Sequence, residues 1–392
     1  MASNVELDDQ PKELQRRLRT LEARTELGPY RVEDLSHHAL TPEDLSDFVE
    51  RNWNQAYPGE ERLRFTPALI AWISVIGDDR NSLSRLAIHD DQIVGLVLGV
   101  GQALLVDGVE LQCAFHTCWT TDQEHASKGL GQLLLVQHLI AAARQGYDVS
   151  QRWYDTRHHA PGSALWLAER DKVLVAADLD LFGKTLKRQE PQDQSASIRQ
   201  YHRSDLPVVK SLATEALKER PMRVIYSDAQ WQAQLDFSYG GEQVSITYLF
   251  EKQEQTIGYV QGFVNRDPQG NTFFIDQLVF RPGTDQSAME TTIQLTENVL
   301  VSEHDCYAAV ALPTNTSEGV LPEPTEFDRR IGRLYLAAPG PIRKLIDVLD
   351  EKLLGGPGFT PIDYQTLAVR PLRPEEVSVK PTALEGAFLP LR

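Results

Sequence analysis

Apolar runs bounded by short turns mark the most regular part of the chain. Leu83 to His89 and Ile93 to Leu105 flank a turn at Asp90-Asp91, and Glu110 to Thr121 follows a second turn at Val106-Asp107-Gly108. This pattern predicts three consecutive antiparallel strands. The period then changes. Leu133, Leu134, Val136, Leu139 and Ile140 fall at helical spacing and predict a helix from Leu130 to Gln145. A strand from Tyr147 to Tyr154, a helix from Ala164 to Glu169 and a strand from Val173 to Leu181 complete the run. Upstream, Leu14, Leu18 and Leu21 predict one amphipathic helix ending before Gly28-Pro29, and a strand begins near Tyr30. Thr41-Pro42-Glu43-Asp44 has the composition of a helix start, with Thr as cap and Pro at the first position. That helix carries Leu45, Phe48, Val49 and Trp53, and a second includes Leu69, Trp72 and Ile73. Strands followed by strand–helix–strand alternation predict a mixed α/β (α+β) domain.

Leu186 to Ser197 contains almost nothing apolar and is the best linker in the chain. Beyond it the first half's pattern recurs. Asp44-Leu45 and Asp205-Leu206 each open a helix, and Ile93-Val94-Gly95 corresponds to Thr256-Ile257-Gly258 after a turn at Lys252-Gln253-Glu254. The separation from Leu45 to Gly95 is 50 residues and from Leu206 to Gly258 it is 52. Duplication divides the chain into a helical extension (1–29), a first domain (30–186), a linker (187–197), a second domain (198–370) and a tail (371–392). Within the second domain, Arg333-Leu334-Tyr335 is expected on a helix, with Ile342 to Leu354 an equal candidate for it. Gly358 to Val369 is expected to form a final hairpin strand.

Charge and cysteine content narrow the partners. The 392 residues carry a net charge of −17, which excludes a general phosphate-backbone binder and disfavours an anionic membrane surface. Cys113, Cys118 and Cys306 are too few for a disulfide framework and fit reduced thiols. The N-terminus is acidic without an apolar core, and no apolar run reaches a membrane span. These features predict a soluble, cytoplasmic protein that binds neither nucleic acid nor membrane and leave a homo-oligomer open.

The candidate chemistry lies in Thr121-Asp-Gln-Glu-His-Ala-Ser-Lys-Gly-Leu-Gly131, between a strand and a long helix. Gly129 and Gly131 allow a phosphate to approach backbone amides at the positive end of the helix, and Lys128 adds a charge. A simple strand-to-helix turn is the competing reading. Following a sheet built from hairpins, Lys128-Gly129-Leu130-Gly131 resembles the cofactor loop of the GNAT superfamily of acyl-CoA-dependent N-acyltransferases. Thr121 and Gln123 take the places of that family's Val-x-Pro, and Ala126 stands where the family has Arg or Gln.

The resemblance implies two GNAT-like domains, each a mixed, mostly antiparallel sheet flanked by helices. It implies that the amides of Ser127, Lys128, Gly129, Leu130, Gly131 and Gln132 hold the pyrophosphate of acetyl-CoA or another acyl-CoA. Trp119, Thr120 and Thr121 would pair through their backbone with the pantetheine arm. The thioester would lie between that strand and the next, near Gln151 to Tyr154. An acyl group would pass directly to a small-molecule amine, which needs a base and a leaving-group acid. The base candidates are His116, Glu124 and His125. A packing role competes for His116, and an exposed loop tip competes for the other two. The family's acid, a Tyr, is replaced by Trp166, so Tyr154 or a water would serve. Asp155, His158 and His159 form a polar cluster without the spacing of a metal site, and no metal is expected. In the second half, Phe280-Arg281-Pro282 matches the Val-x-Pro element, and Asp285, Ala288 and Glu290 replace the phosphate-binding residues. That copy is expected not to bind coenzyme A. The alternatives are a non-catalytic GNAT-like binding or assembly protein and a different α/β enzyme with another phosphate ligand.

Overall fold

The computed structural model describes residues 29–56, 63–76, 83–126, 130–155, 174–188, 190, 195–268, 270–311, 327–337 and 387–388. The expected helices at 1–29, Ala164–Glu169 and Ile342–Leu354 lie outside these residues, as do Trp166, His158, His159 and the strand from Gly358 to Val369. The helices are α1 (Pro42–Ala56), α2 (Pro67–Ile76), α3 (Leu130–Arg144), α4 (Leu206–Ala216), α5 (Asp228–Leu235) and α6 (Gln286–Glu303). The strands of the first half are β1 (Arg31–Asp34), β2 (Arg85–His89), β3 (Gln92–Val106), β4 (Val109–Thr121), β5 (Val149–Asp155) and β6 (Leu174–Thr185). Those of the second half are β7 (Ala196–Gln200), β8 (Met222–Ile225), β9 (Ser238–Tyr239), β10 (Glu242–Gln243), β11 (Ser245–Lys252), β12 (Gln255–Asp267), β13 (Gly270–Phe280), β14 (Cys306–Ala311), β15 (Phe327–Ala337) and β16 (Ala387–Phe388). Arg333, Leu334 and Tyr335 therefore lie on a strand, not on a helix. The segment Ile331-Gly-Arg-Leu-Tyr-Leu336 holds a glycine, a β-branched and an aromatic residue, all poor helix formers.

The described residues form two compact units that interleave along the sequence. The first comprises 29–56, 83–126, 130–155, 174–177 and 333–337. Its strands run in the order β1-β2-β3-β4-β5, antiparallel except for the parallel pair β4 and β5. The Asp90-Asp91 hairpin turn holds both residues at positive φ, 47° and 59°, as a tight turn matched to strand twist requires. Three glycines of β3 share one face because they are separated by even numbers of residues. A Cβ on Gly95 would lie 2.8 Å from Leu134 and one on Gly99 2.7 Å from the His138 ring, while Gly101 faces the Tyr147 hydroxyl. Their bare backbones let α3 settle onto the sheet, where Leu130, Leu133 and Leu134 pack with Val94, Val97 and Ala87.

The second unit comprises 63–76, 327–332, 387–388 and the described residues from 178 to 311. Its sheet runs β6-β14-β13-β12-β11-β7, with β13 and β14 parallel and the other pairs antiparallel. Along β12 and β13, alternate residues face opposite ways. Val260, Leu278 and Phe280 pack with Leu300 of α6, whereas Tyr259 and Val279 pack with Val209 and Leu212 of α4. Helix α2 belongs to this unit. It is apolar nearly all round, Trp72 is fully buried with its indole donating to the Ala233 carbonyl at 2.7 Å, and Gln230 Nε2 donates to the Ile76 carbonyl at 2.7 Å. Arg64, just before it, bonds Asp267 at 2.7 Å and donates its backbone N–H to Asn265 Oδ1 at 2.7 Å.

Arg199 on β7 grips Asp205 through two bonds of 2.6 and 2.9 Å and Glu251 through one of 2.6 Å. The guanidinium holds the Asp205 carboxyl below its usual range, and the His202 amide reinforces the effect. A depressed carboxyl stabilises the fold above its unfolded value, near pH ~4, and that stability is lost as pH falls through the folded value. Thermal melts from pH 7 to pH 2.5 are therefore expected to show Tm falling below about pH 4. Asp205→Asn should lower Tm at pH 7 and flatten the fall; an unchanged profile would remove the pair from the acid response.

Candidate functional site in the first unit

The end of β4 departs from a regular strand. Leu98 pairs with Thr117 and Leu96 with Thr120, so Val97 is opposed by both Cys118 and Trp119. This bulge sets Cys118 at φ 51°, in the left-handed region that a residue with a Cβ rarely occupies. Such a conformation costs about 1–3 kcal/mol and persists where the surroundings enforce it. Cys118 is buried, and burial pushes its thiol well above the ordinary range, so it stays neutral.

Past the bulge, β4 is tied to the first turn of α3. The Trp119 indole donates to the Gly131 carbonyl at 3.0 Å, and a Cβ on Gly131 would lie 3.3 Å from the same indole nitrogen. Gly131 therefore serves close packing as well as any ligand role. Thr120 is buried and Thr121 half-buried. The chain leaves the sheet through Asp122, whose N–H donates to the Val94 carbonyl at 2.9 Å and whose carboxylate caps the short turn Gln123–His125. Glu124 is exposed at that turn. His125 packs inward, 3.0 Å from the Tyr30 hydroxyl and beside His89. Ser127, Lys128 and Gly129 lie outside the described residues. Leu130 is buried at the start of α3, and Gln132 follows on the same helix.

Strands β4 and β5 pair from Cys113↔Val149 to Phe115↔Gln151, and both continue further. Among the described residues no later pair joins them. His116 follows on the face covered by α3. It is buried, with Nδ1 3.4 Å from Ser150 Oγ and its ring 4.9 Å from that of His138. His138 Nδ1 donates to the Leu83 carbonyl at 2.9 Å, which fixes its tautomer. On the opposite face Gln102 Nε2 donates to Gln151 Oε1 at 2.8 Å across the Cys113 thiol, which burial pushes up. Tyr154 lies on β5, and its side chain is outside the described residues. The structure thus gathers Trp119 to Thr121, the start of α3 and His116 around the end of β4, with Glu124 at the exposed turn. His138, Cys118 and Gln102 were not foreseen, although Gly99, which makes room for His138, was a readable signal.

No protein-family model matches the chain, and no curated protein matches it by sequence. Its shape is similar to that of solved structures. N-Myristoyltransferase from Saccharomyces cerevisiae with bound myristoyl-CoA superposes with a TM-score of 0.60 at 11% identity, covering 79% of this chain and 83% of that one. A second structure of that protein, with myristoyl-CoA and inhibitors, gives 0.61 at 10% identity over 79% and 80%. A GCN5-related N-acetyltransferase from Anabaena variabilis ATCC 29413 aligns at 0.49 and 14% identity over 78% and 72%. The fold is shared with N-myristoyltransferase.

Both units carry the same strand exit with different chemistry behind it. Arg281 N–H donates to the Ile257 carbonyl at 2.7 Å, the counterpart of Asp122 and Val94. Strand β13 is also bulged, with Asp276 the extra residue opposite Gln261 and Gly262. The connection from bulged strand to helix is shorter in the second unit, 281–285 against 122–129. Asp285 caps α6 by accepting from the Ala288 N–H at 3.0 Å, and Lys252 bonds it at 3.0 Å. The lysine and the helix amide hold its carboxyl below the usual range. The amides that could face an anion are thus met by the chain's own carboxylate.

Proposed function

We propose that the chain is an acyl-CoA-dependent N-acyltransferase whose cofactor site lies in the first unit. The observation that carries the reading is the strained bulge at Cys118, set between the last β4–β5 pair and the start of α3. A bulge takes a backbone amide out of the ladder, and a fixed amide beside a gap between strands can stabilise a tetrahedral oxyanion. The amides of 127–132 with Lys128 would hold the pyrophosphate, and Trp119, Thr120 and Thr121 would pair with the pantetheine arm. The capped α6 supports assigning no coenzyme A to the second copy.

The amine nitrogen attacks the thioester carbon, forming the C–N bond and placing the electron pair on oxygen. Collapse of the intermediate breaks the C–S bond. The proton lost by nitrogen goes to a base, and the thiolate takes one from an acid. His116 is the base candidate closest to the bulge, Glu124 the exposed one, and Tyr154 the candidate acid. The acceptor we assign is a small amine and the donor acetyl-CoA. Three buried thiols suit a reducing cytoplasm, and among the described residues no helix is long and apolar enough to cross a membrane.

One observation favours a second reading, a binding protein that keeps the cofactor without turnover: His116 is 5% exposed beneath α3. Titrating acetyl-CoA calorimetrically and then following thiol release over a panel of amines separates the two. Saturable binding with amine-dependent release is expected. Binding without release would support the second reading, and no binding would sink both.

A further inference from the structure

His125, a candidate base by sequence, takes no part in the chemistry proposed above. Its ring closes a cluster of three. Nδ1 lies 3.0 Å from the Tyr30 hydroxyl, and the ring centroid is 4.9 Å from that of His89 and 5.6 Å from that of Tyr30. The rings of His89 and Tyr30 are themselves 5.2 Å apart. The three residues come from the entry to β1, the end of β2 and the turn after β4. Tyr30 is buried in the apolar cluster that holds Leu130, the first described residue of α3. The imidazole pair therefore stands near the start of that helix, which follows His125 by five residues. Several charged groups surround it. The exposed Asp90 carboxylate is 3.4 Å from His89 Nδ1, and Arg31 beside Tyr30 bonds Asp91 at 2.9 Å. On the exit turn, Asp122 accepts from the Glu124 N–H at 2.9 Å, and the Glu124 side chain is exposed. Among the described residues no carboxylate bonds His125.

We infer that the His89–His125 pair is a titratable flank of the phosphate site and takes one proton from solvent, shared between the rings, as the phosphates of an acyl-CoA bind. The inference rests on the cofactor site proposed above. Imidazole is the side chain that gains charge near neutral pH. In sequence His125 is two residues before Ser127, where the amides assigned to the pyrophosphate begin. Two residues of chain span at most about 7 Å. That is inside the ~8 Å over which physiological salt screens a charge. Bound phosphates therefore favour a protonated ring, whereas the positive helix end opposes it in the empty site. A second proton is opposed by the first across 4.9 Å, so the pair titrates as a unit and takes one. Linkage is reciprocal. If phosphates raise the pair's hold on a proton, protons raise its hold on phosphates, and affinity falls as pH rises through the imidazole range.

The test titrates acetyl-CoA calorimetrically into the full chain from pH 8 to pH 6, in buffers of low and high ionisation enthalpy. The ligand's own 3′-phosphate titrates near pH ~6, so the quantity read is the difference between the wild type and His89→Gln, His125→Gln. Near pH 7 the wild type is expected to take up about half a proton more than this variant. Its gain in affinity from pH 8 to pH 6 should be about three- to tenfold larger. Tyr30→Phe removes the bond to Nδ1 but keeps both imidazoles, and should behave as the wild type. If the double variant does not melt cooperatively, His125→Gln alone should lose about half of the extra uptake. Equal uptake and equal pH dependence in the wild type and a folded variant would overturn the inference and leave the cofactor site standing. Failure of the wild type to bind acetyl-CoA at any pH would overturn the cofactor site and this inference together.

Discussion

Expressed alone, residues 198–392 are expected not to reach a cooperatively folded state. The sequence makes this fragment look self-sufficient, because an apolar-poor linker precedes it and its pattern repeats that of the first half. The second unit, however, includes two segments from upstream. One is α2 with its approach, where Trp72 is fully buried, Arg64 pairs with Asp267 and Ile76 accepts from Gln230. The other is β6, whose residues Phe182 to Thr185 pair with Ala311 to Ala308 of β14. Losing a buried tryptophan alone costs about 3–5 kcal/mol. Uncovering β14 exposes a strand edge as well. Together these losses are comparable with the whole stability of a domain, about 5–15 kcal/mol. The fragment should aggregate or show a non-cooperative melt, while the full chain melts cooperatively. A sharp unfolding transition for the fragment would show that α2 and β6 are dispensable to the second unit.

Much of the architecture was legible because it rests on local rules. Apolar runs bounded by turns located the hairpins of both halves, and Thr41-Pro42 opens α1 with the Thr41 hydroxyl accepting from the Asp44 N–H. The correspondence of Val94-Gly95 with Ile257-Gly258 appears in the structure as matching bonds to Asp122 and Arg281. The mixed, mostly antiparallel sheets flanked by helices are as expected. What escaped was non-local. An amphipathic or apolar helix does not state which sheet it covers, so α2 and β6 gave no sign of joining the second unit. The bulge at Cys118 carries no glycine to announce it, because tertiary packing enforces its left-handed backbone. Asp285 was legible as a carboxylate where a phosphate would bind, but its role as the cap of α6 needed the structure. The polar bridge of Gln102 and Gln151 joins strands far apart in sequence, and no periodicity reports that.

Gly129→Asp is expected to weaken acyl-CoA binding by at least about a hundredfold while leaving the fold at least as stable. In sequence Gly129 is followed by Leu130, the first described residue of α3, as Asp285 is followed by Gln286 of α6. An aspartate there can cap the helix, as Asp285 does by accepting from Ala288, and Asp caps stabilise helices as well as or better than Gly. The same carboxylate would occupy the amides assigned to the pyrophosphate and repel its charge. Gly131 is a poorer place to test, because its Cα packs against the Trp119 indole and a side chain there would disturb β4. The central claim is that the first unit's helix start, and not the second's, holds an acyl-CoA. The most direct measurement is calorimetric titration of acetyl-CoA into the wild type and Gly129→Asp, each checked by thermal melting. The account predicts one site per chain in the wild type and none detectable in a variant whose Tm is undiminished. Undiminished binding by that variant, or no binding by the wild type, would contradict it.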